Sequence, residues 1–276
     1  MSAEALSTPT NGFVEFYNEL WKLRDKRVDD WPLMSSPWPT LTMCAAYVYG
    51  ATILGPTLMR DRQPMELKKT IQVYNVFQVI LSAYIFIEAC AVGWLNDYSW
   101  VCQDVDRSTA PGSNGMRMTA VCWLYFMSKF TEFADTFFFV ARKKFAHVSM
   151  LQVIHHGIMP VFGWALCRWL PGGHESFGGT VNSLVHVIMY SYYFLAALGP
   201  HMQKYLWWKR YLTTFQMIQF AMVFTKSMVI VFGFADCGYP WQFSLITSLL
   251  MLLFFILFAQ FYINEYLEKS KMKKHK

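Results

Sequence analysis

Apolar residues fall along this chain in long blocks separated by short polar connections. The clearest block, FSLITSLLMLLFFILFAQFYI, runs from Phe243 to Ile263 and matches the roughly 20 residues a helix needs to cross a bilayer. The whole pattern predicts seven membrane-crossing helices, near 36–56, 70–95, 116–140, 149–170, 177–198, 213–233 and 241–265. Pro, Gly, Ser and Thr dilute the first and the fifth. Ahead of them, FVEFYNELWKL puts Phe13, Phe16, Leu20 and Trp21 on one helical face, which predicts an amphipathic helix lying at the interface. The expected fold is all-α. It comprises an interfacial segment 1–35 on the lumenal side, a membrane domain 36–265 and a basic tail 266–276. The connections are too short for a catalytic domain, so any chemistry must sit between the helices.

Composition agrees: 55% of the residues are hydrophobic and only 15% charged, which excludes an ordinary soluble domain. No basic patch followed by an apolar core marks a cleavable signal peptide at the N-terminus. Lys and Arg set the orientation. They gather in the 57–69 connection (Arg60, Arg62, Lys68, Lys69), in 141–148 (Arg142, Lys143, Lys144), in 199–212 (Lys204, Lys209, Arg210) and in the tail EKSKMKKHK. The alternate connections are poor in both. The positive-inside rule then places the C-terminus in the cytosol and the N-terminus on the lumenal side. The net charge of +6 is a topology signal and calls for no nucleic acid. Lys273 and Lys274 stand fourth and third from the end, as in the dilysine retrieval signals of endoplasmic reticulum membrane proteins. Cys102 and Cys237 fall in two connections on the lumenal side, where an oxidising compartment allows one disulfide between them.

Ionisable and amide side chains inside spans are costly unless paired or wetted, so they mark function by default. Four clusters stand out. In KFTEFADT, Lys129, Glu132 and Asp135 recur every three residues; an ion cluster that only holds helices together is the plain alternative. In LQVIHHGIMP, Gln152, His155 and His156 share a helical face. In HVIMYSYY, His186, Met189, Tyr190 and Tyr193 form a stripe, and the tyrosine hydroxyls need partners. In TTFQMIQ, Thr213, Gln216 and Gln219 are spaced by three, and such amides also serve simply to join helices. Asn75, Gln78, Glu88, Asn182, Gln260 and Asn264 add further polar points.

Histidine offers metal ligation, acid–base work or nucleophilic attack. A di-iron centre of the membrane desaturase and hydroxylase kind needs more histidines than this chain places in its spans. Of seven, only His155, His156 and His186 are clearly intramembrane. No metal or other cofactor is expected. A non-metal histidine centre in apolar surroundings suits acyl transfer from a thioester, with His, Gln, Asn or Tyr supplying base and oxyanion donors. A seven-span receptor or transporter would explain the span count but none of the four clusters in particular.

KFTEFADT, QVIHH, HVIMYSYY and TTFQMIQ resemble, in order and spacing, the signatures of the ELO family of fatty acid elongases. GPTLMRDRQPMELK and the dilysine-like end extend the resemblance over nearly the whole chain. Within that family it looks most like the metazoan group acting on saturated and monounsaturated long chains. The resemblance implies condensation of a long-chain acyl-CoA with malonyl-CoA to give 3-oxoacyl-CoA, carbon dioxide and CoA. It also implies a ring of the last six spans around a substrate tunnel that opens to the cytosol. A ketoreductase, a dehydratase and an enoyl reductase would complete the cycle in the same membrane; membrane lipids are the surroundings and a homodimer is a possible assembly. Catalysis is assigned to His155 as the acyl acceptor, His186 as its partner and His156 in support. Lys129, Glu132, Asp135, Gln152, Asn182, Met189, Tyr190, Tyr193, Gln216 and Gln219 are assigned to substrate binding. One departure stands out: the family's box is usually His-x-x-His-His, and Gln152 occupies its first place. Gln cannot exchange a proton near neutral pH, so a catalytically impaired homologue is the alternative, with a di-iron desaturase behind it.

Overall fold

The computed structural model describes residues 12–268. It is helical throughout, with no strand among the described residues. Helix α1 (Gly12–Lys22) precedes α2 (Trp38–Tyr49), which continues through a π-helical turn (Gly50–Leu54) into α3 (Gly55–Met59). Then come α4 (Lys68–Ala89), α5 (Asn114–Thr131), α6 (Phe133–Ala141), α7 (Met150–Trp169), α8 (Ser176–Leu198), α9 (Lys209–Val231) and α10 (Trp241–Tyr262). Six stretches are long and apolar enough to cross a membrane: Trp38–Met59, Lys68–Trp94, Met150–Trp169, Ser176–Leu198, Lys209–Val231 and Trp241–Glu268. They fall where the hydropathy pattern put six of its seven spans, and the chain is a multi-pass membrane protein.

The third expected span, 116–140, is not among the six. Its helix is interrupted at Glu132, whose backbone stays near-helical (φ −67°, ψ −17°) and whose N–H still bonds the Ser128 carbonyl, but which separates α5 from α6. No Gly or Pro causes the break. The last helix also runs on, through a π-helical turn (Ile263–Glu268), into what the sequence divides off as tail. The side chains of Phe13 and Phe16 lie outside the described residues, as do Lys273 and Lys274.

Local chemistry sets the helix ends. Ser113 and Ser149 are extended N-caps whose hydroxyls accept from the backbone N–H of Met116 and Gln152, satisfying donors the first turn leaves open. Gly199, at φ +131°, stops α8 ahead of Pro200. Pro160 lies inside α7 and removes the N–H that would bond the His156 carbonyl, loosening the ladder beside the histidine pair.

Helix packing follows a definite succession. Helix α4 packs on α8, α8 on α9, α9 on α10, α10 on α7, α7 on α5, and α5 back on α4; α2 lies against α7. At one end the basic connections meet. Lys143 Nζ donates to the Arg60 carbonyl at 2.9 Å and the Met65 N–H to the Ala141 carbonyl.

The other end is clasped. Cys102 and Cys237 form a disulfide. Asp25, almost wholly buried, accepts from Arg27 and Arg107, and Asp29 pairs with Arg24 and with the buried Arg168 at the end of α7. Trp21 stacks on Trp164 and meets Trp169 edge-on. Its ring therefore packs against α7, where the amphipathic pattern placed it at the membrane interface: periodicity identifies an apolar face, not what will cover it.

At the clasped end Glu175, just ahead of α8, accepts hydrogen bonds from Ser227 Oγ of α9 (3.0 Å) and Ser244 Oγ of α10 (2.7 Å). Burial disfavours its charge and, outweighing those bonds, pushes its pKa up to about 7. A carboxyl whose pKa is raised on folding holds a proton in the native state that the unfolded chain has lost. Stability therefore declines between about pH 4.5 and 7, by on the order of 3 kcal/mol. Glu175→Gln keeps a hydrogen-bonding amide and removes the titration. Thermal melts of both proteins from pH 5 to 8 should show the variant gaining on the native chain as pH rises; parallel curves would contradict this.

Candidate active site

Many of the polar side chains predicted inside the spans gather at the break between α5 and α6, while Glu88 pairs with Arg117 in the first turn of α5 and Gln260 and Asn264 are exposed. Lys129, in the last turn of α5, is 1% exposed, and its ammonium donates to Glu132 Oε1 at 2.7 Å and to Asn182 Oδ1 of α8 at 3.0 Å. The Tyr125 hydroxyl donates to the same Asn182 oxygen at 2.9 Å, and its ring lies under the ammonium at 4.3 Å. Lys129 thus sits behind Glu132 and does not line a cavity. Spacing placed the three charges on one face, but their depth differs.

Glu132 is the hub. Its Oε1 also lies 3.2 Å from His186 Nδ1 on α8, and Oε2 lies 3.7 Å from His156 Nδ1 on α7, too long for a hydrogen bond. A carboxylate paired with Lys129 only accepts, so it is complemented by the His186 tautomer that carries its proton on Nδ1. His156 packs its ring edge-on to Tyr47. One turn along α6, Asp135 Oδ2 accepts from the Tyr190 hydroxyl at 2.7 Å. Gln78 Nε2 lies 2.9 Å from the Tyr74 hydroxyl and 3.4 Å from that of Tyr190, while Gln78 Oε1 accepts from Thr131.

Two cavities meet here. A wide chamber of about 720 Å³ is lined by Glu132, Asp135, Gln152, His155, His156, Asn182, His186, Met189, Tyr190, Tyr193, Gln216 and Gln219. Towards the basic end its wall includes Lys68, Arg142, Lys144, His147 and Lys209. A narrow, mainly apolar cavity of about 70 Å³ runs the other way between Ile85, Val121, Phe162, Val223 and Met251 to Gly172 and Glu175. His155, Asn182, Gln219 and Phe220 belong to both walls. The His155 ring stands against Phe254 at 4.8 Å, and its Nδ1 is buried without a hydrogen-bond partner.

Gln152 does not meet the histidines. Its Nε2 donates to Thr136 Oγ1 at 3.3 Å, and Thr136 in turn pairs with the Tyr47 hydroxyl at 2.9 Å. The amide ties α7 to α6 and, through Thr136, to α2. Gln216 Nε2 rests on Met189 Sδ at 3.5 Å. Sequence reasoning missed Tyr47, Tyr74, Tyr125, Thr131 and Thr136. Tyr125 stands one turn before Lys129 and both threonines lie within its motif KFTEFADT, which is a usable signal. Tyr47, 89 residues from Thr136, gives none.

The chain matches the family model described as ELO, the GNS1/SUR4 family, over residues 32–274. It is 49% identical over 246 residues to very long chain fatty acid elongase 7 of Drosophila melanogaster, covering 89% of this chain and 74% of that one. It is 44% identical over 270 residues to very long chain fatty acid elongase 4 of Macaca mulatta (97% and 84%), and 43% over 273 residues to elongase 7 of Rattus norvegicus (98% and 95%). With its buried histidines, paired charges and divided cavity, this chain belongs to the ELO family of fatty acid elongation proteins.

Proposed function

We propose that the protein is the condensing enzyme of fatty acid elongation, converting a long-chain acyl-CoA and malonyl-CoA to 3-oxoacyl-CoA, carbon dioxide and CoA. One observation carries the reading: His155 stands where a wide chamber bearing charged and polar side chains meets a narrow, almost wholly apolar cavity. An acyl thioester is divided in the same way, with an alkyl chain on one side of its carbonyl and a charged CoA on the other. The alkyl chain takes the apolar cavity. The phosphates take the basic mouth at Lys68, Arg142, Lys144 and Lys209, whose charges also raise the local concentration of the anionic substrate.

In the first half-reaction a nitrogen of His155 attacks the acyl carbonyl. A C–N bond forms, the C–S bond breaks, and CoA leaves as a thiolate that takes the proton released by the ring. Malonyl-CoA then loses carbon dioxide. The electron pair left on carbon attacks the acyl group, the C–N bond breaks, and the departing imidazolate takes a proton from water in the chamber, the one proton the overall reaction consumes. His186, beside Glu132, relays protons to and from the ring. Asn182, its oxygen already taken by Lys129 and Tyr125, keeps its amide nitrogen for the oxyanion. His156 supports the orientation of His155. Gln219, on both walls, contacts the thioester; Asp135, Tyr190, Tyr193, Met189 and Gln216 shape the chamber around the CoA arm.

We read the broken pair α5 and α6 as the seventh crossing. The succession of helix contacts supports a ring of α4, α5–α6, α7, α8, α9 and α10, with α2–α3 outside it. The clustered basic connections support a cytosolic mouth and C-terminus and a lumenal clasp in the endoplasmic reticulum. The 3-oxoacyl-CoA then passes to separate reducing and dehydrating enzymes of the same membrane, and the dilysine pair Lys273 and Lys274 retains the chain there.

Purified protein given long-chain acyl-CoA and carboxyl-labelled malonyl-CoA, with a chelator and no NADPH, should release labelled carbon dioxide and 3-oxoacyl-CoA together. No product across a wide range of chain lengths, from folded protein, would overturn the reading. In that assay His155→Ala should lower turnover by at least about a hundredfold, and full activity would remove it from the chemistry. Because Gln152 bonds to Thr136 and not to the histidines, Gln152→His should stay within about tenfold of the native rate. A thousandfold loss in Gln152→Ala would instead place that amide on the substrate.

A further inference from the structure

Helix α4 carries three amide side chains at three-residue steps, Gln72, Asn75 and Gln78, and two of them are committed. Gln72 Nε2 donates to the Ala197 carbonyl at 3.0 Å, and Gln78 bonds Tyr74, Tyr190 and Thr131. Asn75 is 1% exposed, and its Nδ2 has no hydrogen-bond partner. Its side chain belongs to the wall of the wide chamber, on the face of α4 that also brings Lys68 and Ile71 there. A buried amide donor left open destabilises a fold; one that borders a chamber is available to a ligand's acceptor.

The register of α4 against α8 fixes how deep that donor lies. Gln72 reaches Ala197 and Gln78 reaches Tyr190, so Asn75 lies level with Tyr193. His186 is seven residues deeper along α8, and Lys68 seven residues towards the mouth along α4; each step is about 10 Å. Asn75 therefore stands midway between the cations at the mouth and the histidines. A CoA thioester spanning those two points lays its uncharged pantetheine arm at this level, and the hydrogen-bond acceptors of that arm are amide carbonyls.

We propose that Asn75 recognises the pantetheine arm of the CoA substrate, its Nδ2 donating to an amide carbonyl of the arm. The proposal rests on the condensation reading and adds to it the chamber's contact with the neutral part of CoA.

Binding to the full chain in nanodiscs tests this without turnover. The probes are S-hexadecyl-CoA, a non-reactive thioether, and adenosine 3′,5′-bisphosphate, which carries CoA's ribose phosphates and lacks the arm. Asn75→Leu should weaken the thioether about tenfold, the loss of one buried hydrogen bond, and leave the bisphosphate within about twofold. Its thermal midpoint without ligand should equal or exceed that of the native chain, because an unsatisfied donor has been removed. Asn75→Ser, which restores a small donor, should recover part of the affinity. Equal weakening of both probes, a lowered midpoint, unchanged thioether affinity, or no thioether binding by the native chain would each overturn the assignment. Failure of the condensation reading shows separately, as a native chain that binds the thioether yet releases no carbon dioxide from malonyl-CoA.

Discussion

Lys129 and Glu132 bury a full ion pair between helices, with about 1% of either residue exposed. Losing one partner of such a pair costs about 3–5 kcal/mol, because the other charge is stranded in low dielectric. The remaining polar groups of the interior are arranged around that pair. Asn182 and Tyr125 complete the ammonium, and His186 approaches the carboxylate. This draws α5, α6 and α8 to one point and leaves His155, on α7, beside it but outside the hydrogen bonding. The histidine that the proposed chemistry uses thus spends no ring nitrogen on a hydrogen bond to Glu132.

The interior is wide and studded with polar side chains on one side of that point and narrow and almost wholly apolar on the other. The two ends of the molecule differ to match. At the wide end short basic connections meet through hydrogen bonds such as that from the Lys143 ammonium to the Arg60 carbonyl. At the narrow end a disulfide, the Asp25 and Asp29 ion pairs and the Trp21–Trp164–Trp169 cluster tie the connections together.

Much of this was legible in the sequence, for particular reasons. Long, predominantly apolar runs marked six spans, because a helix in lipid must hide its backbone along its whole length. The four motif clusters were visible because a polar side chain within such a run is conspicuous. The break at Glu132 was hidden, since KFTEFADT carries no residue that stops a helix by itself. Lys129 was expected at the substrate and lies behind Glu132, because periodicity gives direction and not depth. Tyr47 and Thr136 were invisible as a pair: their contact exists only after α2 has docked against α6 and α7. Gln152 looked like a defect in a histidine box, and its bond to Thr136 makes it a tether.

The interruption at Glu132 also has an electrostatic effect. A continuous helix carries its partial charges only at its termini, far from the middle of the membrane. Splitting α5 from α6 creates two further termini there, a negative end beside Lys129 in the last turn of α5 and a positive end beside Glu132 and Asp135 at the start of α6. Each charge thus sits at the helix end whose dipole favours it, an effect of about 0.3–1 kcal/mol per group and up to about 2 kcal/mol when partly buried. The backbone thus adds to the Lys129–Glu132 ion pair and the Tyr190–Asp135 hydrogen bond that already support these three side chains.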